Sequence, residues 1–199
     1  DLIQALAAEL GKDPRHVENV VHLLDEGNTI PFIARYRKEL HGAMDDTSLR
    51  TLEERLQYLR GLEERREAVK KSIDEQGKLT DELAAAIDSA KTLAEVEDLY
   101  RPYKQKRRTR ATIAKEKGLE PLAALLFAQE RDCPRPEEAA RDFVDPEKGV
   151  ETVEDALQGA SDIIAEQISD DAAIRKRLRA LISRQGQLVS RAATEDASV

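Results

Sequence analysis

The sequence predicts an all-α fold: an irregular array of helices, two of them long, joined by short helix-turn-helix connections. Three observations support this fold class. Charged residues make up 36% of the 199 residues, aromatic residues make up only 4%, and tryptophan is absent, which is typical of helices with one apolar stripe and one charged face. Apolar residues recur at intervals of three and four. Capping residues precede these stretches, and glycines follow them.

The first forty residues predict three short helices. Leu2–Leu10 carries an apolar face and is followed by a glycine. Asp13 and Pro14 then serve as the N-cap and the first residue of a second helix, which we expect to end at Gly27. A third helix is expected from about Thr29 to Lys38.

The rest of the sequence predicts two long helices and several short ones. Leucines repeat at three and four from Leu49 to Leu62, the phase then shifts toward Val69, and the helix ends near Gly77. Such a shift argues against a regular two-stranded coiled coil and indicates a helix that changes its packing partner. Short helices are expected at about Asp81–Ala90 and Leu93–Tyr100, then two within 113–129, and one at Glu137–Phe143. A second long helix is expected from Val153, with a new cap at Ser169–Asp171. The last helix is expected to end at about Gly186. Strand alternation is weak except at Gln187–Arg191.

We interpret residues 1–199 as one domain, because neither flank of the best boundary candidate, Asp142–Gly149, makes a clear separate core.

No stretch approaches the roughly 20 apolar residues that cross a bilayer, and the N-terminus lacks the pattern of a secretory leader. The single cysteine, Cys133, cannot form an internal disulfide, which fits a reducing compartment. These features predict a cytoplasmic protein without a membrane-spanning segment. Because the chain starts at Asp1 rather than methionine, we expect a fragment of a longer protein.

Positive charge is concentrated in one segment. The formal net charge of the chain is −8, which argues against a general affinity for polyanions. The segment Arg101–Lys117 nevertheless holds eight basic residues against one acid, Glu116, so it carries +7 and leaves −15 for the rest of the chain. Four of these cations lie within Lys106–Arg110 and cannot be buried without partners. Three alternatives remain open: a solvated loop, a contact with phosphate or an acidic partner, and an intramolecular clamp on a glutamate-rich helix.

Two segments, residues 29–38 and 99–108, place aromatic residues beside lysine and arginine. This mixture suits nucleic acid, because cations neutralise phosphates and an aromatic face stacks on an unpaired base. The alternative is that the rings anchor the core; we favour it for Phe32 and Tyr36, whereas for Tyr100 and Tyr103 the two interpretations are balanced. The candidate nucleic-acid-binding residues are Arg35, Arg37, Lys38, Arg101, Lys104, Lys106, Arg107, Arg108, Arg110 and Lys115.

Other classes of site have little support. The second and third predicted helices together have the length of a DNA-binding helix-turn-helix, but Ile30–Ile33 lacks the polar side chains that read bases at the start of a recognition helix. Adjacent acidic residues point about 100° apart on a helix, and the three histidines lack metal-ligand spacing. The sequence also lacks a phosphate-binding glycine loop and the motifs of common hydrolases. We therefore expect no catalytic activity, no metal and no cofactor.

Several motifs, in order along the chain, resemble one known family. They are Leu23–Glu39, which contains Thr-Ile-Pro-Phe-Ile-Ala-Arg-Tyr-Arg-Lys-Glu, and the later runs Asp45–Thr47, Leu52–Leu56, Asp98–Thr109 and Phe143–Gly149. These runs closely resemble the N-terminal region of the bacterial Tex family of transcription accessory proteins. Together they cover nearly the whole chain.

The resemblance implies a helical N-terminal portion of a longer protein, related in architecture to a eukaryotic transcription elongation factor. In that family an RNase H-like domain, helix-hairpin-helix elements and a C-terminal S1 domain follow, and the S1 domain is regarded as a main nucleic-acid-binding part. The expected partners are RNA or another nucleic acid and the transcription machinery. Two hypotheses follow: a scaffold and interaction module that supports nucleic-acid binding through its basic segment, or a purely structural or protein-docking domain.

Overall fold

The computed structural model describes residues 2–104 and 108–190, and within these ranges the regular structure consists of eleven α-helices and two short 3-10 turns, with no β-strand. The predicted all-α fold is therefore confirmed. The contact pattern divides the chain into two compact units, unit 1 (residues 1–88) and unit 2 (residues 89–199). The interpretation of residues 1–199 as one domain stays a prediction, since compact units are not by themselves independent domains.

The helices follow the sequence pattern closely. Unit 1 contains α1 (Leu2–Leu10), α2 (Pro14–Asp25), α3 (Ile30–Tyr36), α4 (Asp46–Asp74) and α5 (Asp81–Ser89), which ends at the unit boundary. Unit 2 contains α6 (Leu93–Tyr100), α7 (Arg110–Glu116), α8 (Glu120–Ala128), α9 (Pro136–Arg141), α10 (Val153–Asp170) and α11 (Ala172–Gln185), with 3-10 turns at Arg101–Tyr103 and Pro146–Lys148.

Capping side chains set several of the helix starts. The carboxylate of Asp13 accepts a hydrogen bond from the backbone N–H of Arg15 at 2.9 Å and begins α2. Asp45 accepts from the Ser48 N–H at 2.8 Å, so α4 begins before the leucine repeat that predicted it. Thr109 likewise begins α7 earlier than residue 113, the start that we expected. In each case the cap satisfies an N–H group that the first helical turn leaves unpaired.

The core of unit 1 lies between α4 and the three helices before it. Leu49, Leu52 and Leu56 of α4 are buried among apolar residues of α1, α2 and α3. Farther along α4, the ammonium group of Lys70 contacts the carboxylate of Asp88 at 2.7 Å, beside the end of α5. The first half of α4 therefore packs on α1–α3, and this ion pair connects its second half to α5. The change of packing partner inferred from the phase shift stays a prediction.

The core of unit 2 is built around α10. This helix packs against α7, α8 and α9, and small residues line the contact, among them Ala156 and Ala160. A Cβ atom added at Gly159 would lie 2.3 Å from Cδ1 of Leu119, so a larger residue there would force this buried side chain to move. The boundary candidate Asp142–Gly149 lies inside this unit, and its Asp145 forms an isolated antiparallel bridge with Val150.

The alternating pattern noted at Gln187–Arg191 does not form a strand in the described residues. The backbone is irregular over 187–190, and Arg191 lies outside the described residues. Leu188 of this stretch is fully exposed. An alternating pattern gives a strand only where a second strand accepts its hydrogen bonds, and the described residues contain none.

Two glycines provide a direct test of the packing in unit 1. Gly42 has a φ of +59°, and a Cβ atom there would lie 2.4 Å from Cδ2 of His16. We expect Gly42→Ala to lower the free energy of unfolding by about 1–3 kcal/mol, because the backbone strain and the close contact add. The matched control is Gly61 of α4, where a Cβ atom meets nothing within 4 Å; Gly61→Ala is expected to raise stability by about 0.5–1 kcal/mol. Urea denaturation measures both, and equal effects at the two positions would contradict the packing described.

Candidate nucleic-acid interface

The basic segment, residues 101–117, is largely neutralised in three dimensions. Five of its described cations contact carboxylates: Arg101 with Asp170 at 2.9 Å, Lys104 with Glu97 at 2.5 Å, Arg108 with Glu116 at 2.7 Å, Arg110 with Asp162 at 3.5 Å, and Lys115 with Glu120 at 3.4 Å. The ammonium group of Lys117 donates to the Gly149 carbonyl at 2.7 Å. Lys106 and Arg107, which we also predicted as contacts, lie outside the described residues. The positive charge of the segment is thus matched by carboxylates of unit 2, all but Glu116 from outside the segment.

A cleft of about 520 Å³ in unit 2 shows the same balance. Arg101, Lys104 and Arg110 line it together with three acidic residues, Asp162, Glu166 and Asp170. The hydroxyl group of Thr109 donates to the Glu166 carboxylate at 3.1 Å. Because carboxylates repel phosphate at short range, this cleft is poorly suited to a polyanion.

The tyrosines at the start of the basic segment, one just before it and one within it, are not open platforms for a base. Tyr100 and Tyr103 are both half-buried, and the ammonium group of Lys104 lies 5.4 Å from the centre of the Tyr100 ring. Their position fits packing at the junction of α6 and the 3-10 turn better than stacking on a ligand.

The aromatic residues of α3 have the opposite environment. Phe32 is 37% exposed and Tyr36 is 56% exposed, so the core packing that we favoured for them is wrong. Helix α3 places Ile30 and Ile33 in the core instead, and residues 32 and 36, one turn apart, fall on the outer face. The rings of Phe32 and Tyr36 are 5.2 Å apart, centre to centre, and tilted by 48°.

Arg35 of α3 and Arg37, the residue that follows the helix, lie over these rings. The guanidinium carbon of Arg37 is 5.4 Å from the Phe32 ring centre, and that of Arg35 is 6.0 Å from the Tyr36 ring centre. Arg37 also donates to the Tyr36 carbonyl at 3.3 Å. Within the described residues, no carboxylate forms a salt bridge with Arg35, Arg37 or Lys38. We call Phe32, Arg35, Tyr36, Arg37 and Lys38 the α3 surface.

Sequence reasoning missed a buried ion cluster in unit 2. Asp98 of α6 is only 4% exposed, and its carboxylate accepts hydrogen bonds from Arg175 at 2.6 Å and Arg179 at 2.5 Å, both on α11. Burial acts to raise the pKa of Asp98, but the hydrogen bonds from Arg179 and Arg175 outweigh it, so this pKa lies below its ordinary value. The spacing of the two arginines, four residues apart on one helix face, was the feature that could have pointed to a shared partner.

Removing the charge of Asp98 tests this cluster. We expect Asp98→Asn to lower the free energy of unfolding at pH 7 by about 2–3 kcal/mol, since two arginines lose a buried partner while remaining partly solvated. A carboxyl group with a depressed pKa stabilises the fold above its unfolded-state pKa and loses this effect as the pH falls through the folded pKa. The drop in stability on acidification below about pH 4 should therefore be smaller in the variant.

The control for Asp98→Asn is Asp46→Asn, which breaks an exposed pair with Arg50 and is expected to cost about 0.5 kcal/mol. Urea denaturation of both variants at pH 7 and pH 3.5 gives the comparison. A loss at pH 7 no larger for Asp98→Asn than for the control would contradict the role assigned to the cluster.

The expectations of no metal site, no catalysis and a DNA-reading helix-turn-helix remain predictions. No group of three or more metal-binding side chains occurs in the described part of the chain, and no helix there is long and apolar enough to cross a membrane. Helices α2 and α3 are neighbours, but a DNA-reading helix-turn-helix remains a hypothesis. The absence of enzymatic activity also remains a prediction.

Known sequences match this chain over most of its length. The family model of the Tex-like protein N-terminal domain matches residues 1–74, and the Tex central region-like model matches residues 132–198. Protein YhgF of Escherichia coli is 54% identical over 93% of this chain and 24% of its own length. Transcriptional accessory protein Tex of Neisseria gonorrhoeae is 48% identical over 90% of the chain and 23% of its length. Human S1 RNA-binding domain-containing protein 1 is 32% identical over 86% of the chain and 17% of its length.

Unit 2 is thus a helical unit with paired charges, and unit 1 carries the exposed aromatic and basic α3 surface. The chain belongs to the Tex family of transcription accessory proteins and corresponds to the N-terminal region of that family. It spans about a quarter or less of the length of these curated relatives.

Proposed function

We propose that this chain is the helical scaffold and interaction module of a Tex-like transcription accessory protein that works on RNA. Two relatives support this assignment through their names, one as a transcriptional accessory protein and one as a protein with an S1 RNA-binding domain. RNA or another nucleic acid and the transcription machinery are the proposed partners of the whole protein. A cytoplasmic location is part of the same proposal.

The observation that carries the scaffold role is the pairing of charges across unit 2. Arg101 and Arg110 contact carboxylates of α10. Elsewhere in the unit, Lys176 of α11 contacts Glu95 of α6 at 2.8 Å, and Asp98 of the same helix is held by Arg175 and Arg179. The basic segment therefore acts as an intramolecular clamp that fastens α10 to the α6–α7 connection. Of the three alternatives left open by the sequence, the clamp has the most direct geometric support.

Individual exposed pairs in this clamp are weak. The side chains of Arg108 and Arg110 remain mostly exposed, and such pairs contribute about 0–1 kcal/mol each. Their main consequence is electrostatic, because they cancel the positive potential that would attract a polyanion. The clamp thus orients helices and at the same time lowers the affinity of this surface for phosphate.

A second candidate function keeps the basic segment as the direct nucleic-acid contact. The exposure of Arg108 and Arg110 favours it, since a phosphate could replace a weakly held carboxylate. Lys106 and Arg107 would then contribute to the same contact.

Charge exchange separates the two candidates. Arg101→Asp places two carboxylates together and is expected to lower the free energy of unfolding by about 1 kcal/mol, whereas the double variant Arg101→Asp/Asp170→Arg should recover most of that loss. Thermal and urea denaturation measure both. Failure of the double variant to recover stability would contradict the clamp.

Charge reversal within the segment tests the second candidate. If the segment is a clamp, changing Lys106, Arg107, Arg108 and Arg110 to Glu leaves the affinity for a labelled single-stranded RNA within about twofold, because those cations are not the phosphate contacts. Fluorescence anisotropy measures the affinity, and retained helicity by circular dichroism is the control. A loss of affinity of tenfold or more would favour direct contact over the clamp.

A further inference from the structure

We propose that the α3 surface binds single-stranded nucleic acid, with Tyr36 stacking on an unpaired base and Arg35, Arg37 and Lys38 contacting the phosphates on either side. This inference rests on the proposed association of the protein with RNA and moves the contact away from the basic segment.

The first support is that the exposure of the rings is built into a fixed helix. Helix α3 packs against α4 and α2, and Ile33 on its inner face is fully buried. The outer rings therefore have a defined position on a rigid base. The chain has only seven aromatic residues, and two of them lie on this one exposed turn of helix.

The second support is the difference between the cations here and cations elsewhere. Arg55 also lies over an aromatic ring, 4.7 Å from the centre of Tyr58, but a carboxylate oxygen of Glu9 is 2.6 Å from its Nε. Lys104 over Tyr100 is likewise paired with a carboxylate. Arg35 and Arg37 hold their guanidinium groups over rings with no such partner within the described residues. Their charge is therefore available to an anion.

The third support is the match between this arrangement and the needs of a single strand. Aromatic faces stack on bases whatever their identity, and arginine contributes cation–π contacts and phosphate hydrogen bonds at the same place. A base-paired duplex hides the faces of its bases. An α3 surface with two rings and three cations in adjacent positions therefore fits an unpaired strand better than a duplex.

A protein partner fits the α3 surface less well. Within the described residues of unit 1, Phe32 and Tyr36 are the only large apolar side chains that are exposed. A stable protein interface buries about 800 Å² on each partner around an apolar centre. Two aromatic rings surrounded by cations are too small to form such a centre.

The test uses the 199-residue chain and a labelled single-stranded RNA of mixed sequence about as long as one such site, roughly 10 nucleotides. Tyr36→Ala is expected to lower the affinity about tenfold or more, since a base loses its stacking partner. Tyr36→Phe keeps the ring and should stay within about twofold. Arg37→Gln should lower the affinity about threefold or more through loss of one phosphate contact. Arg50→Gln removes a more exposed cation that is already paired with Asp46, and it should change the affinity by less than about twofold.

Four outcomes overturn the proposal. They are no RNA binding by the intact chain, an unchanged affinity in Tyr36→Ala, a Tyr36→Phe variant as weak as Tyr36→Ala, and binding of polyglutamate as tight as binding of RNA, which would make the surface an acidic-protein site. None of these outcomes bears on the clamp, which is tested separately by the stability of the Arg101 and Asp170 variants. The converse pattern, α3 variants that lose RNA while the Arg101 and Asp170 exchange fails to restore stability, rejects the clamp and supports the α3 surface.

Discussion

Pairing with carboxylates determines which cations of this chain remain available to a polyanion. In unit 2 five of the six described cations of the basic segment contact acidic side chains. The two arginines of α11 share the buried carboxylate of Asp98. Helix α11 has no fully buried residue, so its attachment to α6 depends on these ion pairs more than on apolar burial. The negative charge that dominates the composition is thus used to hold helices in place.

The same constraint gives the α3 surface its distinct character. Its arginines lie over aromatic rings, which stabilise a cation without cancelling its charge. A guanidinium group held in this way keeps its hydrogen-bond donors for an incoming phosphate. An acidic protein can therefore approach nucleic acid through a small surface, provided that the surface is free of carboxylate partners and stands on a rigid helix.

The sequence predicted the helices much better than the site, and the reason is the range of the interactions involved. Caps such as Asp13, Asp45 and Thr152 act within three residues of themselves, so local pattern was enough. The partners of Arg101 and Arg110 lie more than fifty residues away on α10, and no spacing rule connects them. Whether Phe32 is buried or exposed depends on which face of the seven-residue helix α3 packs inward. Ile30 and Ile33 lie on the inner face, so Phe32 is exposed.

The salt dependence of RNA binding by the unaltered chain tests most directly which cations are paired with carboxylates of the chain and which contact phosphate. Each phosphate neutralised on a single strand contributes about −0.7 to the slope of log K against log salt concentration. Contact through the three cations of the α3 surface predicts a slope near −2. A slope of about −5 or steeper would require the cations of residues 101–117 to contact phosphate as well, and would contradict the account of them as an internal clamp.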